Sequence, residues 1–598
     1  MLALLIVLAF TLAGTTASGQ ASRHKPNILV LLADDMGVDD FGALNPQLVT
    51  PRLDELAEAS VRFEQFYVNA VCAPTRASLL TGRHFLRTGV SHVHGGKDFV
   101  HRGETLLPQA LKENGYATGM WGKWHSGHSP GYYPWERGFD EAYMADLYKH
   151  EQSRGLLNGQ AVTHSGWADE VVADYAIDFL QRHRDTAFFA FLSFLSPHAP
   201  IRAPEAYVAK HLAAGRGLNQ AALYGMLEHL DHQIGRVLDA LGELGLAENT
   251  VVVFLSDNGP QILTGFLSPE ERQARYASGW RGHKGDLWEN GVKSPLFIRW
   301  PGKLEPARRA QLADVTDLYA TLVALAGGQY PEGQLPLDGQ SLLPYLWNDG
   351  LERSAKAVFD YVHRGWIPSD DVPYTLDGLY QEYDPVQIDT LRWEQQILSV
   401  RRGDFKFVLN PPGGGAQALF DLQQDPKEQR DVAAAHLLIA EEMRELLAQW
   451  FEHVLAEEHA FQRPVFQIGG GGYADYPVLG KAPLRISPGL RNTVTGLKYW
   501  PADGGWAEYA LYVGKAGRYH LQAEYDLGDC PEPPVLTVIV GEQQKSRQLA
   551  VGRQADLGML YLPEGPQNLR IELSYPEGEV PCERLLEGFR VLRFSKTG

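Results

Sequence analysis

The sequence predicts an α/β protein with a large, mixed, mostly parallel sheet sandwiched by helices, followed by a small α+β subdomain and a β-sandwich. Apolar runs of strand length alternate with helical patterns up to Trp300. Polar clusters directly follow four of these runs. From about Arg463 the helical patterns stop, and short segments alternate apolar and polar residues. The first two observations are typical of a buried, mainly parallel sheet, and the third of a sandwich.

Five apolar runs rich in Ile, Val, Leu and Phe predict the buried parallel strands, at residues 27–32, 116–121, 188–196, 251–256 and 295–300. Between them, apolar residues recur at spacings of three and four, which predicts helices at 53–59, 105–113, 167–183 and 218–244. Because ligands bind beyond the carboxyl ends of strands in an open parallel sheet, the polar clusters should meet at one edge.

The later segments predict two further units. Strands at 358–361, 397–401 and 405–409, with a helix at 433–459, indicate the α+β subdomain. Alternating strands at 506–513, 517–525, 535–540 and 568–573 indicate the sandwich. We therefore divide the chain into a signal peptide (1–19), a catalytic domain (20–347), a subdomain (348–462) and a sandwich (463–598).

Composition limits the partners and the compartment. The formal net charge of −19 over 598 residues argues against nucleic acid or an anionic membrane as a partner. Residues 1–19 have the apolar and small-residue pattern of a cleaved secretory signal, so a secreted or periplasmic protein without a membrane anchor is expected. Of three cysteines, Cys530 and Cys582 could pair, which would leave Cys72 alone.

Two polar clusters offer hard oxygen ligands. Asp34 and Asp35 follow the first strand, and Asp257 and Asn258 follow the fourth. Either pair alone would most often be a solvated turn, but both end buried strands at the predicted edge. The ligand type favours Ca²⁺ over Mg²⁺, and no Cys/His cluster indicates zinc.

Cys72 opens the run CAPTRASLLTGR. A lone cysteine is most often a buried apolar residue, but here Pro74 suits a first helical turn, so Cys72 should lie just before a helix at 75–81 that ends at Gly82. A helix N-terminus offers free N–H groups, and Arg76 adds a fork of donors for a tetrahedral oxyanion. This pattern predicts an anion site with a reactive group at its mouth.

Histidines and lysines complete the candidate set. His125 and His198 are candidates for proton transfer, although a lone histidine is usually structural. Lys123 would reach the same pocket as His125 in an extended segment, and Lys284 lies in a Gly-rich loop where a solvated lysine is the ordinary expectation.

Taken together, these motifs resemble the type I, formylglycine-dependent sulfatases of the alkaline phosphatase superfamily. The resemblance covers residues 27 to about 346 and then weaker stretches such as SVRRGDFKFVL. It departs mildly at Asn290, Lys293 and Ser294, where the family more often has Gly and Arg-Val. The motifs that carry it are Asp34-Asp35, CAPTRASLLTGR, GKWH, the His-x-Pro of SPHAP, SDNG, the Lys284 loop with ENGVKSPLFIRWPG, and DGQSLLPYL.

The resemblance implies a role for each matched residue. Cys72 would be oxidised to formylglycine by a formylglycine-generating enzyme, and its hydrate would attack sulfur. His198 would protonate the leaving alcohol, and His125 would assist release of sulfate. Arg76, Lys123 and Lys284 would offset sulfuryl charge, and a calcium ion would be held by Asp34, Asp35, residue 72, Asp257 and Asn258.

Two other functions stay open at this point. The chain could be a phosphate or phosphonate ester hydrolase of the same superfamily, or a sugar-binding protein whose Cys72 is never converted. The sandwich and the expected secretion favour a sulfated carbohydrate as substrate. Trp167, Trp280, Trp366 and Tyr380 are candidates for stacking on sugar rings, although core packing is the commoner fate of aromatic residues.

Overall fold

The computed structural model of the 598-residue chain describes thirteen stretches of sequence. They are residues 25–261, 266–276, 278–353, 356–362, 391–411, 414–473, 475–492, 497–498, 500–501, 504–526, 533–550, 552–575 and 589–597. The predicted signal peptide, Trp366, Tyr380, Cys530 and Cys582 lie outside these residues. None of the helices within the described stretches is long and apolar enough to span a membrane.

The first unit contains twelve strands. They are β1 (Asn27–Ala33), β2 (Val61–Phe63), β3 (Phe66–Tyr67), β4 (Ala117–Gly122), β5 (Glu141–Ala145), β6 (Arg154–Leu157), β7 (Gln160–Thr163), β8 (Phe188–Ser193), β9 (Thr250–Ser256), β10 (Leu296–Arg299), β11 (Ala307–Arg309) and β12 (Ala313–Asp314). Ten of them form one sheet in the order β11-β2-β10-β9-β1-β8-β4-β5-β6-β7, while β3 pairs with β12.

Ten helices belong to the same unit. They are α1 (Pro51–Glu58), α2 (Cys72–Thr81), α3 (Leu107–Glu113), α4 (Ala168–Arg182), α5 (Glu205–Ala213), α6 (Leu218–Glu243), α7 (Pro269–Arg275), α8 (Glu289–Val292), α9 (Thr316–Ala326) and α10 (Leu343–Trp347).

Helices cover both faces of the large sheet, as the apolar strands require. Along β1, Ile28, Val30 and Leu32 pack into one buried cluster that contains residues of α2, α3 and α9. The alternate residues Leu29, Leu31 and Ala33 pack into a second cluster with residues of α1, α4 and α6. Successive side chains of a strand point to opposite faces, so a strand buried on both sides must be apolar throughout. The predicted α/β fold class is confirmed.

Strand β10 corrects one expectation. The run 295–300 was predicted as a parallel strand, but β10 is antiparallel to both β9 and β2. The four strands β9, β1, β8 and β4 are parallel in adjacent pairs. An antiparallel strand near the edge of a mainly parallel sheet is buried on both faces too, so its composition carries no information on direction.

The second unit is a four-stranded antiparallel sheet with one long helix. Its strands, in spatial order, are β13 (Ala357–Val362), β14 (Ile397–Arg402), β15 (Phe405–Leu409) and β16 (Gln417–Asp421). Helix α11 (Leu437–Leu455) buries Met443, Leu447 and Phe451 in the cluster that also contains residues of α2 and α9. The subdomain therefore shares a core with the first unit.

The third unit consists of two antiparallel-rich sheets. Its strands are β17 (Val465–Ile468), β18 (Asp475–Leu479), β19 (Arg485–Ile486), β20 (Arg491–Asn492), β21 (Leu497–Lys498), β22 (Gly505–Val513), β23 (Gly517–Tyr525), β24 (Val535–Val540), β25 (Gln543–Gln548), β26 (Gln554–Leu562), β27 (Gly565–Ser574) and β28 (Phe589–Lys596). One sheet has the order β17-β22-β27-β24-β25 with β19 against β22, and the other β20-β21-β28-β23-β26 with β18 against β28.

The sandwich packs directly on the catalytic unit. Phe99 and Tyr132, from loops of the catalytic unit, belong to the same buried apolar cluster as the inner faces of the two sandwich sheets. The backbone N–H of Val465 donates to the Tyr132 hydroxyl at 3.0 Å, and Trp135 Nε1 donates to the Tyr473 hydroxyl at 2.9 Å. This contact places the start of the sandwich beside the loops that follow α2 and β4.

Candidate active site

The two predicted acidic clusters meet because β1 and β9 are neighbours in register. Ala33 pairs with Ser256, so the residues that follow both strands leave the sheet side by side. The backbone N–H of Asp35 donates to Asp257 Oδ1 at 3.2 Å, and Asn258 Nδ2 donates to Asp35 Oδ1 at 2.8 Å. Asp34, Asp35, Asp257 and Asn258 are all completely or almost completely buried.

Three oxygen atoms of this cluster have no hydrogen-bond partner among the described residues. They are Asp34 Oδ1, Asp35 Oδ2 and Asn258 Oδ1. A buried oxygen without a partner is costly, because it has lost its hydration without compensation. Ligand atoms of Asp34, Asp257 and Cys72 also lie within 4.8 Å of one another. The donor set therefore fits a hard divalent cation held by oxygen atoms.

Cys72 lies at the start of α2, between the acidic cluster and a histidine. The sequence predicts that the helix starts after Cys72, but in the structure it begins at Cys72 itself. As predicted, it is closed by Gly82, which has a left-handed conformation with φ 67°. Boundaries of this kind commonly shift by a residue or two. Cys72 Sγ lies 3.3 Å from His125 Nδ1 and is buried.

Arg76 is fully buried and joins three parts of the site. Its Nε and Nη2 donate to Asp257 Oδ2 at 3.0 and 2.7 Å, and its Nη1 donates to the Lys123 carbonyl at 2.9 Å. Nη1 also bonds the Ser193 hydroxyl at the end of β8. All these donors have protein acceptors, so Arg76 acts first as the counter-charge and anchor of Asp257.

Lys123 and Lys284 each form a buried ion pair with one aspartate. Lys123 Nζ lies 2.7 Å from Asp34 Oδ2, and Lys284 Nζ lies 2.6 Å from Asp35 Oδ1. Burial alone would lower the pKa of both lysines, but the adjacent carboxylates reverse this effect and raise each pKa. Both lysines are therefore fixed as cations. The ordinary expectation of a solvated Lys284 is wrong, since its side chain is almost completely buried.

Gly122 makes the position of Lys123 possible. A Cβ atom on Gly122 would lie 1.8 Å from the Ser193 carbonyl oxygen, and its φ is 112°. This close approach allows the backbone N–H of Lys123 to donate to the same oxygen at 2.9 Å. Only glycine accepts both constraints.

His125 has a carboxylate partner that the sequence analysis missed. Its Nε2 lies 3.5 Å from Asp98 Oδ2 and its Nδ1 faces Cys72. Burial lowers the pKa of His125, but the Cys72 thiolate and Asp98 outweigh burial and raise it. Asp98 stands in the stretch SHVHGGKD (residues 91–98). Potential ligand atoms of His94 and Asp98 in this stretch, and of His125, lie within 4.8 Å of one another. The two histidines in this short stretch were the available signal.

His198 lies on the opposite side, beside Asp35. Its Nδ1–H donates to the Ala199 carbonyl at 2.6 Å, and its Nε2 lies 3.7 Å from Asp35 Oδ2. Burial lowers its pKa well below the usual value, and Lys284 and Lys123 lower it further, while Asp35 opposes them. The backbone bond fixes Nδ1, so Nε2 is the atom that faces Asp35 and the candidate cation site.

The same cations act on Cys72. Burial alone would raise the pKa of the Cys72 thiol, but Lys123, His125 and Lys284 outweigh burial and lower it. A group that becomes anionic at this position is therefore stabilised by positive charge on several sides.

Four other residues named from the sequence make packing or hydrogen-bond contacts with the protein. Trp167 precedes α4 and meets the His229 ring with centroids 6.1 Å apart, and Trp280 packs under Lys293 Nζ at 3.8 Å. Asn290 Nδ2 donates to the Gly282 carbonyl at 3.0 Å. The Ser294 hydroxyl accepts from the backbone N–H of Ser256 at 2.9 Å and so supports the end of β9.

Comparisons with known proteins agree on one family. The sulfatase family matches residues 26–328. Human N-acetylgalactosamine-6-sulfatase is 32% identical over 375 residues, covering 56% of this chain and 67% of the relative. Human arylsulfatase A is 32% identical over 373 residues, covering 56% of this chain and 70% of the relative.

Solved structures share the fold. Ps i-CgsB superposes with a TM-score of 0.60 at 24% identity, covering 71% of this chain and 93% of that one. The PsFucS1 sulfatase from Pseudoalteromonas sp. superposes with a TM-score of 0.57 at 23% identity, covering 74% and 92%. The chain belongs to the sulfatase family and is a sulfuric ester hydrolase.

The Arg76–Asp257 pair predicts a large effect on stability. Removing one partner of a buried ion pair leaves the other charge uncompensated, so Arg76→Met should lower the free energy of unfolding by about 3–5 kcal/mol in chelator. Arg182→Met is the matched control, because Arg182 pairs with Glu141 and Asp178 at the surface. Its loss should stay within about 1 kcal/mol. Denaturant unfolding measures both, and equal losses would contradict the assigned role of Arg76.

Proposed function

We propose that the protein is a secreted sulfatase that hydrolyses sulfate esters of glycans, with a formylglycine made from Cys72 and a calcium ion. The observation that carries this proposal is the convergence of Cys72, three buried carboxylates and three buried cations at the carboxyl ends of β1, β4 and β9. A nucleophile, a cation site and an oxyanion site would thereby lie side by side.

The surroundings of Cys72 support its conversion. A formylglycine-generating enzyme would oxidise the side chain to an aldehyde during maturation, and hydration would give two hydroxyl groups at the position of the present Sγ. The charges that favour an anionic Cys72 would favour loss of a proton from one hydroxyl in the same way. His125 Nδ1 stands at hydrogen-bonding distance from that position.

The unpartnered oxygens support a metal ion. Asp34, Asp35, Asp257 and Asn258, together with residue 72, would hold it, and Ca²⁺ suits these ligands better than Mg²⁺ because it accepts more oxygen atoms in less regular geometry. When bound, the ion supplies positive charge beside the nucleophile and the sulfuryl oxygens.

The first step is displacement at sulfur. One hydroxyl of residue 72 releases its proton to solvent, and its oxygen forms a bond to sulfur while the bond between sulfur and the alcohol oxygen breaks. Lys123, Lys284 and Arg76 offset the charge on the sulfuryl oxygens, as preorganised electrostatic groups do in many enzymes. His198, directed through Nε2, donates a proton to the departing alcohol. Its low pKa in the free protein would rise when an anionic sulfate ester lies beside it.

The second step releases sulfate. His125 accepts the proton of the remaining hydroxyl, the carbon–oxygen double bond of the aldehyde reforms, and sulfate leaves with the electrons of the bond that joined it to residue 72. Asp98 stabilises the protonated His125 ring. Hydration of the aldehyde then restores the nucleophile.

A glycan is the substrate class best supported. One similar curated protein is named for a sulfated amino sugar, and one similar solved structure contains the substrate D-glucosamine-2-N,6-O-disulfate. The expected signal at residues 1–19 would deliver the protein to the compartment where polymeric glycans occur.

The state of residue 72 tests the proposal directly. Mass spectrometry of the peptide that contains Cys72 should find the aldehyde rather than the thiol. Cys72→Ala should abolish turnover of an aryl sulfate. Cys72→Ser should fold and leave only traces of activity, because a serine can accept the sulfuryl group but cannot expel it by reforming a carbonyl. Near-normal activity of either variant would refute the formylglycine mechanism.

The cation site can be tested without activity. Ca²⁺ should raise the midpoint of thermal unfolding after EDTA treatment, because a ligand bound only by the folded state stabilises it. Elemental analysis should find about one ion per chain. Asp34→Asn should weaken this shift, whereas the control Asp146→Asn, on the exposed strand-edge pair with Arg154, should keep it. A protein that holds no metal by elemental analysis and shows no shift of its unfolding midpoint with Ca²⁺ would rule the site out.

The leaving group tests His198. If its Nε2 donates the proton, His198→Ala should lower the rate on a sugar sulfate by roughly 10²- to 10⁴-fold. The loss should be much smaller for an aryl sulfate, because a phenolate leaves without protonation. His125→Ala is the control and should slow both substrates, since it acts after the leaving group has gone. Equal losses in the His198 variant, with chemistry rate-limiting, would assign the acid to another residue.

A further inference from the structure

Two basic residues near the start of the sandwich, Arg463 and Lys481, lie close to the loop that carries Asp98. Arg463 precedes β17, and Lys481 follows β18. Arg463 Nη1 donates to the Gly95 carbonyl at 2.8 Å. A Cβ atom on Gly96 would lie 2.7 Å from Ala482 Cβ, so the turn that carries Lys481 touches the loop that carries Asp98.

The Lys481 turn is held firmly by the sandwich. The backbone N–H of Gly480 donates to the Arg590 carbonyl at 2.7 Å, and the Gly480 carbonyl accepts from the Tyr509 hydroxyl at 2.9 Å. The backbone N–H of Ala482 closes the turn on the Leu479 carbonyl at 3.1 Å. Lys481 itself is partly exposed, in contrast to its buried neighbours Gly480 and Ala482.

Among the described residues, Asp98 is the carboxylate whose charge raises the pKa of both Arg463 and Lys481. Its Oδ2 already faces His125 Nε2 at 3.5 Å and His94 Nδ1 at 3.8 Å. The Asp98 carboxylate thus faces two histidines, and its charge also acts on Arg463 and Lys481. Burial lowers the pKa of Lys481 and of Arg463, because the charge of Asp98 does not fully offset their loss of hydration. This local excess of positive charge occurs in a chain with a formal net charge of −19.

Aromatic ring contacts lead from this position to the candidate active site. The His94 ring lies 5.0 Å from the His125 ring and 6.0 Å from the Tyr148 ring, and Tyr148 lies 5.1 Å from the His198 ring. His94 Nε2 and the Tyr148 hydroxyl are 2.5 Å apart. This chain of rings connects both histidines assigned to proton transfer, and the charge of Lys481 acts on His94 and Asp98.

We propose that Lys481, supplied by the C-terminal sandwich, binds a second anionic group of the substrate, a carboxylate or another sulfate, next to the ester that is cleaved. A partly exposed lysine on a turn that touches the loop of His94 and Asp98 is suited to an anion. A hydrogen bond from a charged lysine to an anion is stronger than one between neutral groups. Lys481 is a specificity-determining residue rather than a participant in bond breaking. The inference rests on the proposed function.

The test compares singly and doubly charged sugars as competitors of aryl sulfate hydrolysis. N-acetylglucosamine 6-sulfate carries one anionic group, glucosamine 2-N,6-O-disulfate carries a second sulfate, and the chondroitin 6-sulfate disaccharide carries a carboxylate. The inhibition constant of at least one doubly charged sugar should be lower than that of the singly charged sugar. The sugar that shows this preference identifies the anionic group.

Lys481→Gln should remove that preference. The inhibition constant of the preferred sugar should rise about tenfold, in line with the loss of one charge-assisted hydrogen bond. The inhibition constant of the singly charged sugar and the KM and kcat for the aryl sulfate should stay within about twofold, since Lys481 lies outside the reacting atoms. Lys481→Arg should restore most of the preference, because it keeps the charge.

Lys515→Gln is the matched control, because Lys515 is an exposed lysine of the same sandwich. It should change none of these constants. Equal inhibition by all three sugars in the unchanged protein, or equal weakening of all substrates in Lys481→Gln, would overturn the role of Lys481 and leave the sulfatase function intact. A converted, calcium-loaded protein without activity on any sulfate ester would instead refute the proposed function, and this inference with it.

Discussion

The charge balance at the carboxyl ends of β1, β4 and β9 is the constraint on which the rest of the site depends. Asp34, Asp35 and Asp257 are paired with Lys123, Lys284 and Arg76 in the buried interior. Isolated charges at these positions would cost many kcal/mol, so each depends on its partner. The six formal charges sum to zero. A divalent cation alone would leave the pocket with a charge of +2, which an anionic sulfate ester and an ionised nucleophile together would cancel.

Backbone strain is concentrated at the same place. Among described non-glycine residues with positive φ are Asp35, His94, His125 and Tyr148, with φ between 56° and 66°. Such conformations cost on the order of 1–3 kcal/mol each and persist only where surrounding contacts hold them. Here the ion pair of Asp35 and the ring contacts of His125, His94 and Tyr148 hold them. These contacts therefore fix the backbone that carries the side chains of the candidate site.

The sequence predicted the parts of this structure that depend on local pattern. Apolar runs gave β1, β4, β8 and β9, and the rule that strand ends converge brought Asp34, Asp35, Asp257 and Asn258 together. The sequence did not predict roles for Asp98, Ser193 and Lys481, because these roles depend on contacts between segments that are distant in the chain. Ser193 reads as the last residue of an apolar strand, and Asp98 as a loop residue without periodicity. The antiparallel direction of β10 was hidden for a related reason, since a strand buried on both faces has the same composition in either direction.

The position of the sandwich bears on what that unit does. A module that only tethers the protein to a glycan would need no fixed orientation and would be expected on a linker. Here Phe99 and Tyr132 are part of the sandwich core, and the Lys481 turn contacts the loop of Asp98, which in turn faces His125. His125 and Asp98 therefore lie between residue 72 and the loop that the sandwich touches. If Lys481 binds a second anionic group as proposed, changes in the sandwich would alter substrate choice, while the charge balance around Asp34, Asp35 and Asp257 would stay untouched.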